Sequence, residues 1–400
     1  MSAGRLKILV ADYSGHPFQV QLSRALAARG HTVRHMHFAG FQTPKGKLLR
    51  AADDPVTFDV IPITLEKPFA KDSFVRRRSQ EIEVGKRFAA ALARFKPDVV
   101  ISSNAPLDTQ RVFQRAARKA GARFIYWLQD IYSHAIAKVV PAKFPVIGHA
   151  AAAWYRHLEA RMLRASDAVV PITADFVPIL TDWGVDPARI AVAENWAPLD
   201  EIPPMPRDNA WAGANYPAQG TRFVYSGTLG YKHNPEWLLA LARHRPESSV
   251  TVFSQGEVAG KLAADGADAP NLSVRDWVPF ADLPAMLGGA DVVIAVIEPE
   301  AGIYSVPSKI LTYLAAGRPI LAAMPAENLA ARLIEEHEAG LVCAGNTREF
   351  LALADRLAND AALRQGMGAN GRAYAERAFA IDAIADRFED IIARATGAAS

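Results

Sequence analysis

A strand gives way to a helix through Tyr225-Ser226-Gly227-Thr228-Leu229-Gly230-Tyr231-Lys232. Two glycines lacking Cβ atoms let backbone amides close on an anion, and Lys232 could neutralise it. The same pair could equally do no more than tighten the turn. A second segment, Val306-Pro307-Ser308-Lys309-Ile310-Leu311-Thr312-Tyr313, opens a helix with proline at its first position. The free amides and positive end of such a helix favour a phosphate. Ser308 would add a hydroxyl and Lys309 a charge, although on local grounds alone Lys309 reads as an exposed lysine. Third, Glu298-Pro299-Glu300 close an apolar run. Carboxylates accept hydrogen bonds strongly, which suits sugar hydroxyls; an ordinary exposed loop is the equal alternative.

In the first half, the opening strand leads into Asp12-Tyr13-Ser14-Gly15-His16-Pro17. Gly15 is placed to clear space for a ligand ahead of the helix. The G-x-G-x-x-G pattern of dinucleotide binding is absent there, which argues against a dehydrogenase. The strand 124–128 ends in Gln129-Asp130-Ile131-Tyr132-Ser133-His134. Asp130 and His134 could serve as polar groups beside a reacting centre, or belong to a surface loop. His31, His35 and His37 lie close together, but no fourth ligand or catalytic helix accompanies them, so no metal is expected.

These residues need elements to hold them. Short apolar runs alternate with amphipathic stretches almost throughout. Strands read over 6–11, 32–38, 98–102, 124–128, 168–172 and 190–193, with helices between them. The pattern pauses over 197–220, rich in Pro and Gly, which reads as a linker. It restarts with strands over 222–226, 249–254, 272–278, 291–297 and 319–323, and three helices close the chain. Continuous apolar runs fit strands buried on both faces, so parallel, doubly wound sheets are expected. Ligands of such sheets bind outside the carboxyl ends of the strands.

Composition narrows the class. Half of the 400 residues are hydrophobic and 22% charged, as in a folded globular chain. The single cysteine excludes an internal disulfide and a cysteine metal cluster. No run reaches the ~20 apolar residues of a spanning helix. The nearest candidate, 135–155, is interrupted by Lys138, Lys143, His149 and three breakers. A cytoplasmic protein is expected, touching the inner face of the membrane at most peripherally. Residues 1–200 carry 28 Lys and Arg against 18 Asp and Glu, whereas 201–400 carry 17 against 24. A basic half facing an anionic partner follows. Its sharpest cluster is Lys67, Lys71, Arg76, Arg77 and Arg78, with Lys45, Lys47 and Arg50 upstream. A solvated face explains it as well; an anionic membrane or phosphorylated acceptor fits better than nucleic acid, for which no module is present.

Taken together, Lys96-Pro97-Asp98-Val99-Val100, Tyr126-Trp127-Leu128-Gln129-Asp130, Glu194-Asn195-Trp196-Ala197, the glycine turn at 225–230, and Pro307-Ser308-Lys309 through Gly317-Arg318-Pro319 carry a resemblance. In that order and spacing they resemble the GT-B, family-4-type glycosyltransferases of bacterial exopolysaccharide, capsule and O-antigen synthesis. The resemblance implies an α/β fold with two Rossmann-like parallel-sheet domains facing a cleft and a C-terminal helix crossing back to the first domain. The expected parts are an acceptor domain over 1–200 with 380–400, a linker over 201–220, and a nucleotide-sugar domain over 221–379. It also implies that Gly227, Gly230, Lys232, Ser308, Lys309 and Thr312 hold the donor. Gly15 would leave it room, and the loop with Trp277 and Val278 would hold its base. Asp130, His134 and Glu298 are the candidates for the polar wall around the reacting carbon. Neither a metal nor a cofactor is implied, because amides and basic side chains hold the diphosphate.

Two departures stand out. The paired glutamates of the wider family would fall, without gaps, at Tyr304 and Thr312, and neither is acidic. Thr228 stands where an arginine often follows the first glycine. The expected activity is transfer of a sugar from a nucleotide-diphosphate sugar, UDP-linked by preference, to a glycan or lipid-diphosphate-linked glycan, with retention. An epimerase of the same architecture and a non-catalytic nucleotide-sugar binder are the alternatives.

Overall fold

The computed structural model describes residues 4–40, 48–69, 73–103, 105–145, 147–230, 233–297 and 308–397. The chain divides into two compact units, Met1–Glu194 with Ile381–Ser400, and Asn195–Ala380.

The first unit is built on β1 (Lys7–Asp12), β2 (Thr32–Phe38), β3 (Phe58–Ile63), β4 (Val99–Ser103), β5 (Arg123–Leu128) and β6 (Ala168–Pro171). They form one parallel sheet in the order β3-β2-β1-β4-β5-β6. Ile8, Leu9, Val10, Val99, Val100, Ile101, Phe124 and Ile125 are wholly buried. Helices must therefore cover both faces, as the unbroken apolar runs require. The chain winds outward from β1 to β3, then returns to add β4 on the other side. The strand ends of β1 and β4 thus flank the reversal point, where doubly wound sheets bind ligands.

The second unit repeats the plan with β7 (Arg222–Ser226), β8 (Ser249–Phe253), β9 (Leu272–Arg275), β10 (Val292–Val296), β11 (Ile320–Ala323) and β12 (Gly340–Cys343). Their order is β12-β11-β10-β7-β8-β9, all parallel. Its reversal lies between β7 and β10, where the glycine turn leaves the sheet.

The last helix, Ile381–Thr396, belongs to the first unit, as the resemblance implies. Phe388 meets Trp127 with ring centroids 4.8 Å apart, and Ile391 and Ile392 are buried beside it. Arg29 anchors the helix from outside, donating to Asp386 Oδ1 at 2.6 Å and to the Asp382 carbonyl at 2.7 Å.

The pattern reading misses two strands and adds one. β3 carries Asp59 and Pro62, which proline-tolerant edge strands allow but alternation rules do not favour. β12 is a four-residue edge strand beginning at Gly340. Residues 190–193 form no strand; Ile190 makes only an isolated bridge to Val169. The stretch 201–220, read as a linker, packs within the second unit. Arg207 forks onto Asp291 at 2.8 and 3.0 Å, and Tyr216 donates to the Met286 carbonyl at 3.0 Å. Asn209 caps the helix Ala210–Asn215. Prolines bar this segment from a ladder, so side chains tie it down instead. Among the described residues, no helix is long and apolar enough to cross a membrane.

Candidate functional site

Gly227 leaves β7 at φ 127°, in the region that favours glycine. Its amide donates to the Phe253 carbonyl at 3.0 Å, which sets the turn against β8. Two residues on, the Leu229 amide donates to Ser254 Oγ at 2.9 Å, and Gly230 donates to His233 Nδ1 at 3.0 Å. The helix Ser308–Ala315 is held to this strand end by Tyr313, whose hydroxyl accepts from the Ser226 amide at 3.0 Å and donates to the Ser226 carbonyl at 3.2 Å.

That clasp brings Lys309 to the turn. A Cβ on Gly227 would lie 3.3 Å from both Cε and Nζ of Lys309. The ammonium sits 3.7 Å from the centroid of the buried Tyr225 ring, and Nζ is shielded from solvent. An exposed lysine is what local sequence suggests; the docked helix places it at the reversal point instead. A cation over a ring face, beside a glycine turn and at a helix start, is suited to an anion. Ser308 is exposed on the same helix start and Thr312 half-buried one turn on.

Gly227→Ala should therefore act twice. The left-handed backbone and the 3.3 Å approach to Lys309 predict a stability loss of about 1 kcal/mol or more. Urea denaturation measures that loss, and a severalfold weaker affinity for UDP should accompany it.

Trp277 and Val278 follow β9 on the same edge of the sheet, with β8 between them and the glycine turn. Both are half-buried, and the Trp277 indole N–H finds no acceptor among the described residues. Lys232, Glu298, Glu300 and Pro307 lie outside the described residues.

In the first unit, Asp12 ends β1 fully buried. Its carboxylate accepts from the amides of Ser14 at 3.1 Å, Gly15 at 2.9 Å and His16, at the start of the helix Pro17–Ala28. Gly15 takes φ 74° to allow this wrap. Burial alone would raise the Asp12 pKa; the His16 ring and amide together with His35 outweigh it and hold it below the usual carboxylate value. Beside it, Gln19 donates to Ser103 Oγ at the end of β4, at 2.8 Å.

Asp130 and His134 follow β5. The helix Tyr132–Lys143 begins there, and the buried Glu159 accepts from its first amides, Tyr132 at 3.1 Å and Ser133 at 2.9 Å. Burial pushes the Glu159 carboxyl up to about 7, against those hydrogen bonds, and the charge of Asp130 adds to the rise. His134 is half-buried, its ring edge-on to Trp183 at 5.7 Å. Burial and the charges of Arg156 and Lys138 lower its pKa, favouring the neutral ring. Thus Asp130 and His134 share one helix start, and Gly15 sits two strands away on the same sheet edge.

Asp12 and Glu159 escape the motif reading. Asp12 had a usable signal, an acid shortly before Gly15 and the helix-starting Pro17. Glu159 had none, because its partners lie 26 and 27 residues away. The histidines take structural posts. His31 Nδ1 accepts from the Leu6 amide, and His35 pairs with Ser23 Oγ at 2.9 Å. Among the described residues, no group of three His, Cys, Asp or Glu is arranged to hold a metal ion.

The basic cluster is partly absorbed by ion pairs. Arg77 meets Glu81 at 2.9 Å, and Arg78 reaches Asp108 at 2.9 Å and Tyr155 at 3.2 Å. Lys45, Lys47 and Lys71 lie outside the described residues.

Comparison with known proteins agrees with this geometry. Two family models match, the Glycosyl transferase 4-like domain over residues 16–196 and the Glycosyl transferases group 1 domain over 220–360. A probable glycosyltransferase of Pseudomonas aeruginosa, WbjE, is 26% identical over 261 residues, a match spanning 64% of each chain. Among solved structures, sucrose-phosphate synthase of Thermosynechococcus elongatus aligns with a TM-score of 0.75 at 16% identity, over 99% of this chain and all of that one. HepE of Anabaena, in complex with UDP and glucose, aligns at 0.68 and 15% identity, over 97% and 100%. WaaG, a glycosyltransferase involved in lipopolysaccharide biosynthesis, aligns at 0.66 and 16%, over 95% and 98%. At these identities the solved structures share the fold. With one glycosyltransferase model on each unit, and a doubly wound sheet carrying its glycine turn and lysine at the reversal point, the chain belongs to the family-4-type glycosyltransferases of GT-B fold.

Proposed function

We propose that this glycosyltransferase takes a UDP-linked sugar and passes it, with retention, to a lipid-diphosphate-linked glycan at the cytoplasmic face of the membrane. The observation that carries the donor half is the shielded Lys309 ammonium against the Gly227 turn. As the bond from the anomeric carbon to the diphosphate breaks, its electron pair leaves on a phosphate oxygen. A preplaced cation and helix amides stabilise that charge best in the transition state. The acceptor oxygen bonds to the same carbon, and its proton leaves with the diphosphate. Asp130 and His134, with Glu298, are assigned to the polar wall around that carbon, and Trp277 and Val278 to the base.

In this reading amides and basic side chains take the role of a metal, and no cofactor takes part, so transfer persists in excess chelator. The basic first half supports an acceptor bearing phosphates. HepE, solved with UDP and glucose, supports UDP as the donor base. Thr312, standing where a carboxylate is expected, favours one competing reading, a binder that performs no transfer.

A thermal-shift series with UDP, GDP, ADP and NAD tests the donor, since ligand binding raises apparent stability by mass action. A rise with UDP and none with NAD is the expected result; a rise with NAD alone overturns the reading. UDP-sugar binding without product across lipid-linked acceptors would favour the binder.

A further inference from the structure

The candidate groups of the first sheet stand at the carboxyl ends of its strands. The amino ends carry a second gathering of charge. Arg123 begins β5 and Ala168 begins β6. Beside them, the short turn Pro187–Arg189 and the end of the last helix, Ile381–Thr396, close round a hollow of about 290 Å³. All of these elements belong to the first unit. The hollow persists because its walls are small: Ala168, Ala188, Ala191 and Ala395 line it beside the buried Ile391.

Three arginines line the same hollow, Arg123, Arg189 and Arg394, against one acid, Asp167. Asp167 is already engaged. Its Oδ1 accepts from Arg123 at 3.0 Å and its Oδ2 from the Phe124 amide at 2.8 Å. Arg189 comes no nearer than 3.8 Å to Asp186, and both side chains are exposed. Arg394 donates from Nε to the Asp390 carbonyl at 3.3 Å and makes no ion pair among the described residues. Two positive charges are therefore left over around one small space. Like charges repel, so such a gathering calls for a counter-charge. The helix end opposes this with its negative pole, but that pole amounts to about half a charge and each arginine carries a whole one. Thr396 also donates to the carbonyls of Ile392 and Ala393 at 2.9 and 3.1 Å, which lessens it.

We propose that this hollow is a second anion site, which takes inorganic phosphate or diphosphate and fastens the end of the last helix to the sheet through Arg189 and Arg394. A guanidinium fork matches phosphate oxygens two at a time. The hollow lies at the small end for organic ligands, and no aromatic side chain lines it among the described residues, so it suits a compact anion better than a nucleotide. It stands the length of β5, roughly 16 Å, from the end that bears Asp130. Occupancy thus acts on the helix and not on the reacting carbon. The site rests on its own cavity and charges and needs no sugar donor.

Hydrogen exchange of the full chain tests it, with inorganic phosphate as the probe and chloride at equal ionic strength as the control. Phosphate should slow exchange of the amides over 391–397 severalfold. Arg189→Ala lies on an exposed turn outside that segment, so the chain should fold and lose most of the protection. Ala191→Leu fills the hollow and should do the same with every arginine in place. Titration calorimetry should show phosphate affinity about tenfold weaker in Arg394→Ala, the loss of one charge-assisted hydrogen bond. Lys309→Ala should keep the protection of 391–397, which separates this site from the donor site. Equal exchange in phosphate and chloride, protection that survives both Arg189→Ala and Ala191→Leu, or protection lost in Lys309→Ala would each overturn the proposal. Diphosphate protecting at lower concentration than phosphate would support it and name the longer anion. Each failure leaves sugar transfer standing, because UDP binding is measured separately.

Discussion

Lys309→Ala is expected to weaken UDP binding by roughly 10- to 100-fold, the loss of about 1–3 kcal/mol that follows removal of one hydrogen bond to a charged group. The rate of transfer should fall further than the affinity, because the diphosphate gains charge as the sugar departs. The fold should tolerate the change: Lys309 packs its stem against the Gly227 turn and its ammonium on Tyr225, while the Tyr313 hydroxyl clasps the Ser226 backbone. Titration calorimetry with UDP and single-turnover kinetics with the UDP-sugar measure the two effects. Lys309→Arg gives the second arm, retaining charge but not the compact ammonium that fits beside Gly227, and should restore part of the affinity. Unchanged UDP affinity in Lys309→Ala would remove this lysine from the donor site.

Glu159→Gln should change how stability depends on pH. The Glu159 carboxyl titrates near 4.5 when unfolded and is pushed up by burial to about 7 in the fold. Between those values the folded chain holds a proton that the unfolded chain has lost, so stability falls as pH rises, by about 3 kcal/mol in total. His35 works in the opposite sense. Burial lowers it from 6.5 to about 4, with Asp12 opposing. Between those values the unfolded chain holds the extra proton, and stability rises with pH. From 4.5 to 6.5 the two slopes oppose each other. Glu159→Gln removes one of them, so the variant should gain stability with rising pH relative to the parent over that window. Urea denaturation at about pH 5, 6 and 7.5 reads the difference; parallel profiles would refute it. Glu159→Ala removes the acceptor for the amides of Tyr132 and Ser133 and should cost about 2–3 kcal/mol near pH 5, a cost that shrinks as pH rises toward 7 because the parent loses the Glu159 contribution over that range. Because those amides start the helix that bears His134, transfer should slow in the alanine variant even where it remains folded.

Apolar patterning along the chain is enough to set the class of fold. Unbroken apolar runs such as Ile8–Leu9–Val10 and Val292–Val293–Ile294 can bury both faces only in a parallel sheet with helices on either side. The glycine turn and the Ser308-Lys309 helix start were visible because their chemistry is local: a missing Cβ, a fixed helix origin. What depends on edges was not visible. β3 and β12 pair on one side only, so Pro62 and Gly340 break their pattern without harming their hydrogen bonds, and the proline-rich 201–220 reads as a linker until Arg207 is seen to grip Asp291. Tertiary packing alone shows that Lys309 lies shielded on Tyr225 and that Glu159 holds the helix start beside Asp130. Each of these joins residues dozens of positions apart, and periodicity along the chain carries no information about which distant groups meet. Their meeting is set by the winding order of the sheets, which brings one strand end to another across the reversal point.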